Sequence, residues 1–248
     1  MGIVKSLEQG WQSWRFSLTY IFGGVLLTHL VSLALPGVVF LPVLNGIVFS
    51  LLFLTPLRRG DYWAAARLAL IWAVVTSIVQ ILLTFGWPEL MSQKVWRGVA
   101  YREEMMKWVH TGTGTEGDIR LFLPIHARSF VVFSVLSLAS GGLLGLVMGA
   151  GLLGHMNFYA GSLLAEAHFS WIAVFLSWPV WSVVRVVGFV LAGTAYGAVL
   201  LDKTSEKSEK RKKIIRFLAI GLLLIAVDVL LKWALADFYE QWLKTTIV

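Results

Sequence analysis

The sequence predicts an all-α fold, a polytopic bundle of transmembrane helices, and three observations carry that prediction. Hydrophobic residues make up 58% of the chain and charged residues only 14%, with a mean hydropathy of +0.77, against about 25% charged residues in soluble domains. From Ser129 to Leu201 the only formal charges are Glu166 and Arg185, whereas a single membrane-spanning helix needs only about 20 apolar residues. The apolar segments are also continuous, and the strands of a closed membrane barrel would have to alternate apolar with polar residues. Residues 1–248 are therefore read as a single integral membrane domain.

Taken in order, Gly10 to Arg15 with Trp11 and Trp14 forms an interfacial lead-in, because Trp favours the head-group level. No small-residue cleavage site follows, so the first apolar helix, Ser17 to Leu35, is read as retained and not as a signal peptide. Pro36-Gly37 closes it. Val38 to Leu57 is the second helix, and the short connection makes the pair an antiparallel hairpin. Arg58-Arg59-Gly60-Asp61 is a polar turn, and Tyr62 to Trp87 is the third helix. Pro88 suits the first position of a new helix. Apolar residues from Leu90 to Val109 recur at nearly helical spacing opposite Lys94, Arg102 and Glu103. That pattern predicts an amphipathic helix at 88–110 lying in the membrane interface, anchored by Trp96 and Trp108. Segment 88–128 is read as interfacial or extramembrane, with Thr111 to Gly117 as a flexible turn. It lacks the lysine and preceding strand of a phosphate-binding loop.

Two divisions of Ser129 to Leu201 are open. Three crossings would run over roughly 129–153, 156–178 and 180–201, with turns at Gly154-His155 and Trp178-Pro179. Two crossings would leave 154–166 flat on the surface, with 168–201 as one long helix kinked at Pro179. The segment 202–213 is a basic loop, predicted to be cytoplasmic by its lysines. Three crossings place that loop with the N-terminus and Arg58-Arg59, and leave 88–128 on the far side. This arrangement is favoured, because a tight basic turn and a short N-terminal tail both belong on the cytoplasmic side. Ile214 to Tyr239 is the last helix, giving seven crossings, or six in the alternative.

The net charge of +7 is distributed in segments that flank apolar ones. It indicates topology and contact of the basic loop with anionic lipid head groups, and not nucleic acid. The lipid bilayer is the first partner, and the expected location is a cell membrane, specifically a bacterial inner membrane. The absence of cysteine excludes disulfides, thiolate nucleophiles and cysteine-based metal sites. No cofactor is expected.

Few residues are candidates for function. Ser137, Gly141, Gly145 and Gly149 recur every four residues, which predicts one small-residue helix face, and Gly193 and Gly197 form a second Gly-x-x-x-Gly pair. Such faces let helices approach closely in lipid, either within this chain or toward a membrane-protein partner or second copy. Glu166, His168 and Arg185 are the candidate ligand or ion pathway, with Arg185 as counter-ion to Glu166 from the neighbouring helix. An unpaired carboxylate in hydrocarbon is costly. Asp228 and Lys232, four apart with the acid first, are expected to neutralise each other along one helix. The five histidines include one pair, His29 and His168, able to face each other at similar depth. No spaced metal-ligand set is present.

Two family resemblances carry no function over. Tyr101-Arg102-Glu103-Glu104 has the paired glutamates of CAAX-type intramembrane proteases, without the arginine three positions on or a matching helix-borne histidine. From His126 to Leu201, the placement of glycines, Asn157 and Pro179 resembles the stage II sporulation protein M family. The His-Gly-x-x-Glu signature that follows the proline there is replaced here by Val180-Trp181-Ser182. The functional expectation is therefore a non-enzymatic scaffold or accessory subunit of a membrane complex. A small transporter using Glu166, His168 and Arg185 stands second, and a lipid-modifying enzyme third.

Overall fold

The computed structural model describes residues 14–167, 170–203 and 206–247 and is all-helical in its regular structure. Ten helices lie among the described residues: α1 (Trp14–Ala34), α2 (Phe40–Arg58), α3 (Tyr62–Gly86), α4 (Pro88–Ser92), α5 (Gly98–Thr111), α6 (Ile119–Ser140), α7 (Leu143–Glu166), α8 (Trp171–Leu176), α9 (Val180–Leu201) and α10 (Lys207–Ile247). Seven segments are long and apolar enough to cross a membrane: α1, α2, α3, α6, α7, α8 together with α9, and α10. The chain is a multi-pass membrane protein by that criterion. Residues 1–13, with Trp11 of the expected lead-in, and His168 lie outside the described residues.

The number of crossings matches the three-crossing reading, but the turns fall elsewhere. Gly154 and His155 lie inside α7, and the reversal occurs at Gly141-Gly142, where φ is +62° and +97°. Those left-handed conformations are open to glycine and strained for other residues, so two adjacent glycines stop α6 and start α7. The candidate crossings become 119–140, 143–166 and 171–201, so an apolar span begins at Ile119, inside the segment 88–128 expected to be interfacial or extramembrane.

Threading the spans in order puts Arg58-Arg59, the Gly141-Gly142 turn and Asp202 at one end of the bundle, called here the basic end. Contacts across it agree. Tyr62 Oη donates to Asp202 Oδ2 at 2.8 Å, and Lys210 Nζ donates to the Val199 and Asp202 carbonyls at 3.0 and 2.6 Å. A lysine thus satisfies carbonyls that the end of α9 leaves without helical partners. The expected basic loop at 202–213 is helical from Lys207. Lys and Glu are good helix formers, and Glu209 and Lys212 pair at 3.5 Å one turn apart.

α7 is the central helix, packed against α2, α3, α5 and α6. Gln80 on α3 and Asn157 on α7 are both fully buried. Gln80 Nε2 donates to the Gly154 carbonyl at 3.2 Å, and Asn157 Nδ2 donates to Gln80 Oε1 at 3.3 Å. Without water in the hydrocarbon, such amides hold two helices in one register. The most extensive helix pair is α9 with α10. A Cβ on Gly221 would come within 2.9 Å of the Gly188 carbonyl oxygen, and one on Gly188 within 3.0 Å of the Gly221 oxygen. The two backbones touch there, and only hydrogen fits between them.

The small-residue ladder does not form one face. Because the chain reverses at Gly141, Ser137 on α6 lies opposite Gly145 on α7, and a Cβ at Gly145 would collide with Ser137 Oγ. Gly193 packs against Phe133, and Gly197 against Leu57 and the Gly141 backbone, while Gly149 faces open space. Apart from Gly149, these small residues serve contacts within the chain.

Segment 88–118 caps the end opposite the basic one. The single amphipathic helix expected there is two helices, α4 and α5, broken at 93–97 where Arg97 is left-handed with φ 54°. Nor does it simply rest on lipid. Met91, Val95, Met105, Trp108 and Val109 are buried against the bundle, and only Trp96 of the two expected anchors is exposed. Lys94 Nζ donates to the Leu35 carbonyl at 2.6 Å, tying this cap to the end of α1.

Candidate functional site

Four ionisable residues of the spans, His126, Arg185, Asp228 and Lys232, converge just inside the capped end. On α10, Asp228 and Lys232 are four residues apart and share a face, but each takes its partner from another element. Arg185, five residues into α9, holds Asp228 as a fork: Nε donates to Oδ2 at 2.8 Å and Nη2 to Oδ1 at 2.9 Å. A planar guanidinium matches a carboxylate in two bonds at once, which a lysine ammonium cannot do. Lys232 Nζ instead lies 2.8 Å from Glu116 Oε1. The Asp228–Lys232 pairing expected from spacing is thus overturned by two better partners.

Glu116 comes from the Gly/Thr-rich stretch expected to be a flexible turn. It is 7% exposed, and its neighbours explain its position. Asp118 caps α6, its side chain accepting from Arg120 N at 2.8 Å. Gly117 packs on the Trp108 indole and Gly112 on Glu240. The strand of loop between α5 and α6 is thus pinned on both sides, with Glu116 pointing to Lys232. The ammonium also stands 4.3 Å from the centroid of the Phe122 ring, a favourable face for a cation.

Two carboxylates and two cations give this cluster no net formal charge. Lys232 and Asp228 have side chains 0% and 1% exposed, and Arg185 is 21% exposed. Opposite charges in contact are the condition under which ionised groups persist in a medium of low dielectric. His126 of α6 is a fifth member, its Nδ1 3.9 Å from Asp228 Oδ2 without a hydrogen-bond partner. That gap fits a bridging water better than a direct bond. Tyr101 of α5 closes the side toward the cap, its hydroxyl donating to Met156 Sδ at 2.8 Å. Burial raises its phenol well above the ordinary range, and the negative charge of Glu116 adds to the rise. Tyr101 therefore stays a neutral hydroxyl.

Glu166 does not take part. It is the last residue of α7, half-exposed, and its neighbour is His110 Nε2 at 3.6 Å. The shift of the turn from 154–155 to 141–142 moves α7 along the chain, so Glu166 reaches the capped surface and Arg185 takes Asp228 instead. Of the three expected site residues, Arg185 belongs to the charge cluster, Glu166 does not, and His168 is outside the described residues. Glu116, His126 and Tyr101 were missed as members. A hint was present in the spacing of Glu116 and Asp118 directly before an apolar run, where an acidic cap begins a helix.

The depth of the cluster follows from helix rise. Counted at 1.5 Å per residue, Arg185 is about 8 Å below the start of α9 and His126 about 10 Å below the start of α6. The charged layer is therefore at least one to two turns inside the capped end, since the crossing that carries Arg185 already begins at Trp171. Among the described residues, no group of three or more His, Cys, Asp and Glu is placed to hold a metal ion. Comparison with protein-family models, with curated proteins and with solved structures finds no match for this chain.

Proposed function

We propose that this chain is a non-enzymatic accessory or scaffold subunit of a cell membrane, such as a bacterial inner membrane, and that it presents the cap at 88–118 to a partner. The supporting observation is the Glu116–Lys232 contact. It fastens an extramembrane segment to a transmembrane helix through a fully buried ammonium, so the cap is held as a rigid platform and not as a trailing loop. Charged residues on its outer side, among them Glu103, Glu104 and Lys107, are exposed. They offer polar contacts, while α6 and α10, each with only 17% of its span buried, offer apolar faces to lipid or to partner helices. The basic end faces the cytoplasm under the positive-inside rule, which puts the platform on the other side. Its lysines also meet anionic head groups there.

Two experiments test this reading. Reporter fusions at Gly114 and Ser208 should report opposite sides. Purification in mild detergent, with crosslinking from Lys107, should yield a larger complex with a discrete partner. A monodisperse monomer without crosslinked product from intact membranes removes the proposal.

A second reading, a small transporter component, is favoured by one observation, the unpartnered His126 Nδ1 beside Asp228. A titratable ring 3.9 Å from a buried carboxylate is the kind of pair found in membrane proton relays. In reconstituted vesicles, Asp228→Asn should then abolish proton-linked uptake, and unchanged uptake discards it.

A further inference from the structure

Away from the charge cluster, α3 and α9 diverge to leave a cleft of about 380 Å³, roofed by α8 and the turn at Trp178. That volume falls within the roughly 300–1,000 Å³ of small-molecule sites. Its floor is made by small residues one turn apart on α3, Ala73 and Ser77, and its rims by Val74, Ile78 and Val183, which are exposed. Along α3 the cleft runs from Leu70 to Ile81, about 16 Å at the helical rise. One leaflet of a hydrocarbon core is about 15 Å deep. The upper mouth lies at Trp178; behind it the buried Trp181 meets the Tyr239 ring edge-on with centroids 4.6 Å apart, and the Val180 N–H donates to Tyr239 Oη. Aromatic residues of this kind collect at the level of lipid ester groups.

The walls hold two polar atoms that the protein leaves unpaired. Ser77 is 7% exposed and its Oγ has no hydrogen-bond partner, and the Trp178 indole Nε1 at the mouth also has none. Ser134 and Ser140 each donate to a carbonyl four residues back, whereas Ser77, like Ser137 and Ser162, does not. A donor left open within hydrocarbon has no water to turn to, so an acceptor on a bound molecule is its natural complement.

We propose that the cleft is a phospholipid site: one acyl chain lies along α3 between Ala73 and Val187, with its head-group end at the Trp178 turn. The span position supplies the chemistry of the occupant, the length of the cleft matches one leaflet, and two side chains with unpaired polar atoms, Ser77 and Trp178, line its wall and its head-group end. Nothing in this inference depends on the cap or on the charge cluster.

The test uses the full chain, delipidated in mild detergent and given dioleoyl phosphatidylcholine, with bound lipid read by native mass spectrometry. One lipid per chain is expected. Ser77→Phe, which fills the floor, and Val183→Trp, which closes the mouth from an exposed position, should each lower the bound fraction at least tenfold. Leu222→Trp, exposed on α10 outside the cleft, should leave it unchanged. Val183→Trp decides the matter should Ser77→Phe fail to give a monodisperse protein. Wild type without retained lipid, equal retention by both cleft variants, binding of oleate but not of the diacyl lipid, or a lipid-free dimer crosslinked through Val74 would each overturn the proposal.

Discussion

Removing Glu116 should destabilise the chain more than its place in a loop suggests. The Glu116→Leu variant leaves the Lys232 ammonium with a side chain 0% exposed and no anion of its own. Asp228, one turn away, is already held in two bonds by Arg185. Breaking one side of a buried ion pair costs about 3–5 kcal/mol. The Phe122 ring offsets part of this, since a desolvated cation over a ring recovers up to about 2 kcal/mol, so a loss near the lower bound, about 3 kcal/mol, is expected. Lys232→Met should cost less, about 1–2 kcal/mol, because the Glu116 side chain is 10% exposed and can turn toward water. The double variant should return to within about 1 kcal/mol of wild type, as apolar replacement of a whole buried pair is often neutral. Unfolding by SDS in mixed micelles, read through tryptophan fluorescence, gives all three values and hence the coupling energy. If the double variant loses the sum of the two single losses, the contact is not an ion pair that matters and the reasoning fails.

Other consequences follow from the same geometry. Asp228→Asn should cost about 3–5 kcal/mol by stranding the Arg185 guanidinium, and Arg185→Lys should not restore wild-type stability, since it cannot reproduce the fork; thermal unfolding in detergent checks both. Gly221→Leu should force α9 and α10 apart, with a loss of at least about 1–3 kcal/mol. Gly149→Leu, where a Cβ meets nothing within 4 Å, should stay within about 0.5 kcal/mol; the same melts separate them. Tyr101 has a folded-state pKa above its unfolded value. Its contribution to stability is therefore complete below the unfolded value of about 10 and is lost as pH rises beyond it. Phenolate absorbance of the folded protein should accordingly be the same for wild type and Tyr101→Phe up to about pH 11. An early phenolate signal present only in wild type would place that hydroxyl in water.

The spans were legible in the sequence because hydrophobicity over about 20 residues is a property of the segment and survives errors in any one residue. Where the chain turns was less so. Trp178-Pro179 breaks the helix, as proline cannot continue one, but it lies inside the single crossing 171–201 and the chain reverses between Glu166 and Trp171 instead; likewise Gly154-His155 was preferred over Gly141-Gly142, although an adjacent glycine pair is the stronger stop when both must be left-handed. That one displacement explains the misplacement of Glu166 and the broken small-residue ladder. The charge cluster was half legible. Arg185 and Asp228 stand out as charges among apolar residues, yet spacing along a helix favours the neighbour four positions away. It carries no information about a glutamate 116 residues distant from its lysine, which is the separation of Glu116 from Lys232. Close backbone contact through Gly188 and Gly221 was also invisible, because the two glycines lie on different helices and form no four-residue repeat.

Why a charged contact should hold the cap at all is best argued from what an apolar one would do. Two greasy surfaces stick in many registers, whereas Glu116 reaches a single ammonium, set between Phe122 and the Arg185–Asp228 fork. Such a pair adds little net stability over leucine and methionine but selects one position for the segment. The Glu116→Leu, Lys232→Met double variant separates these two properties. It should unfold at nearly the wild-type SDS concentration while its cap is released from a fixed position. Amide hydrogen exchange over 106–117 should then rise at least tenfold, with the bundle helices unchanged, and crosslinking of a partner through Lys107 should fall in parallel. Protection of the cap equal to wild type would show that Met91, Met105 and Trp108 alone set its place, and the ion pair would lose its assigned role.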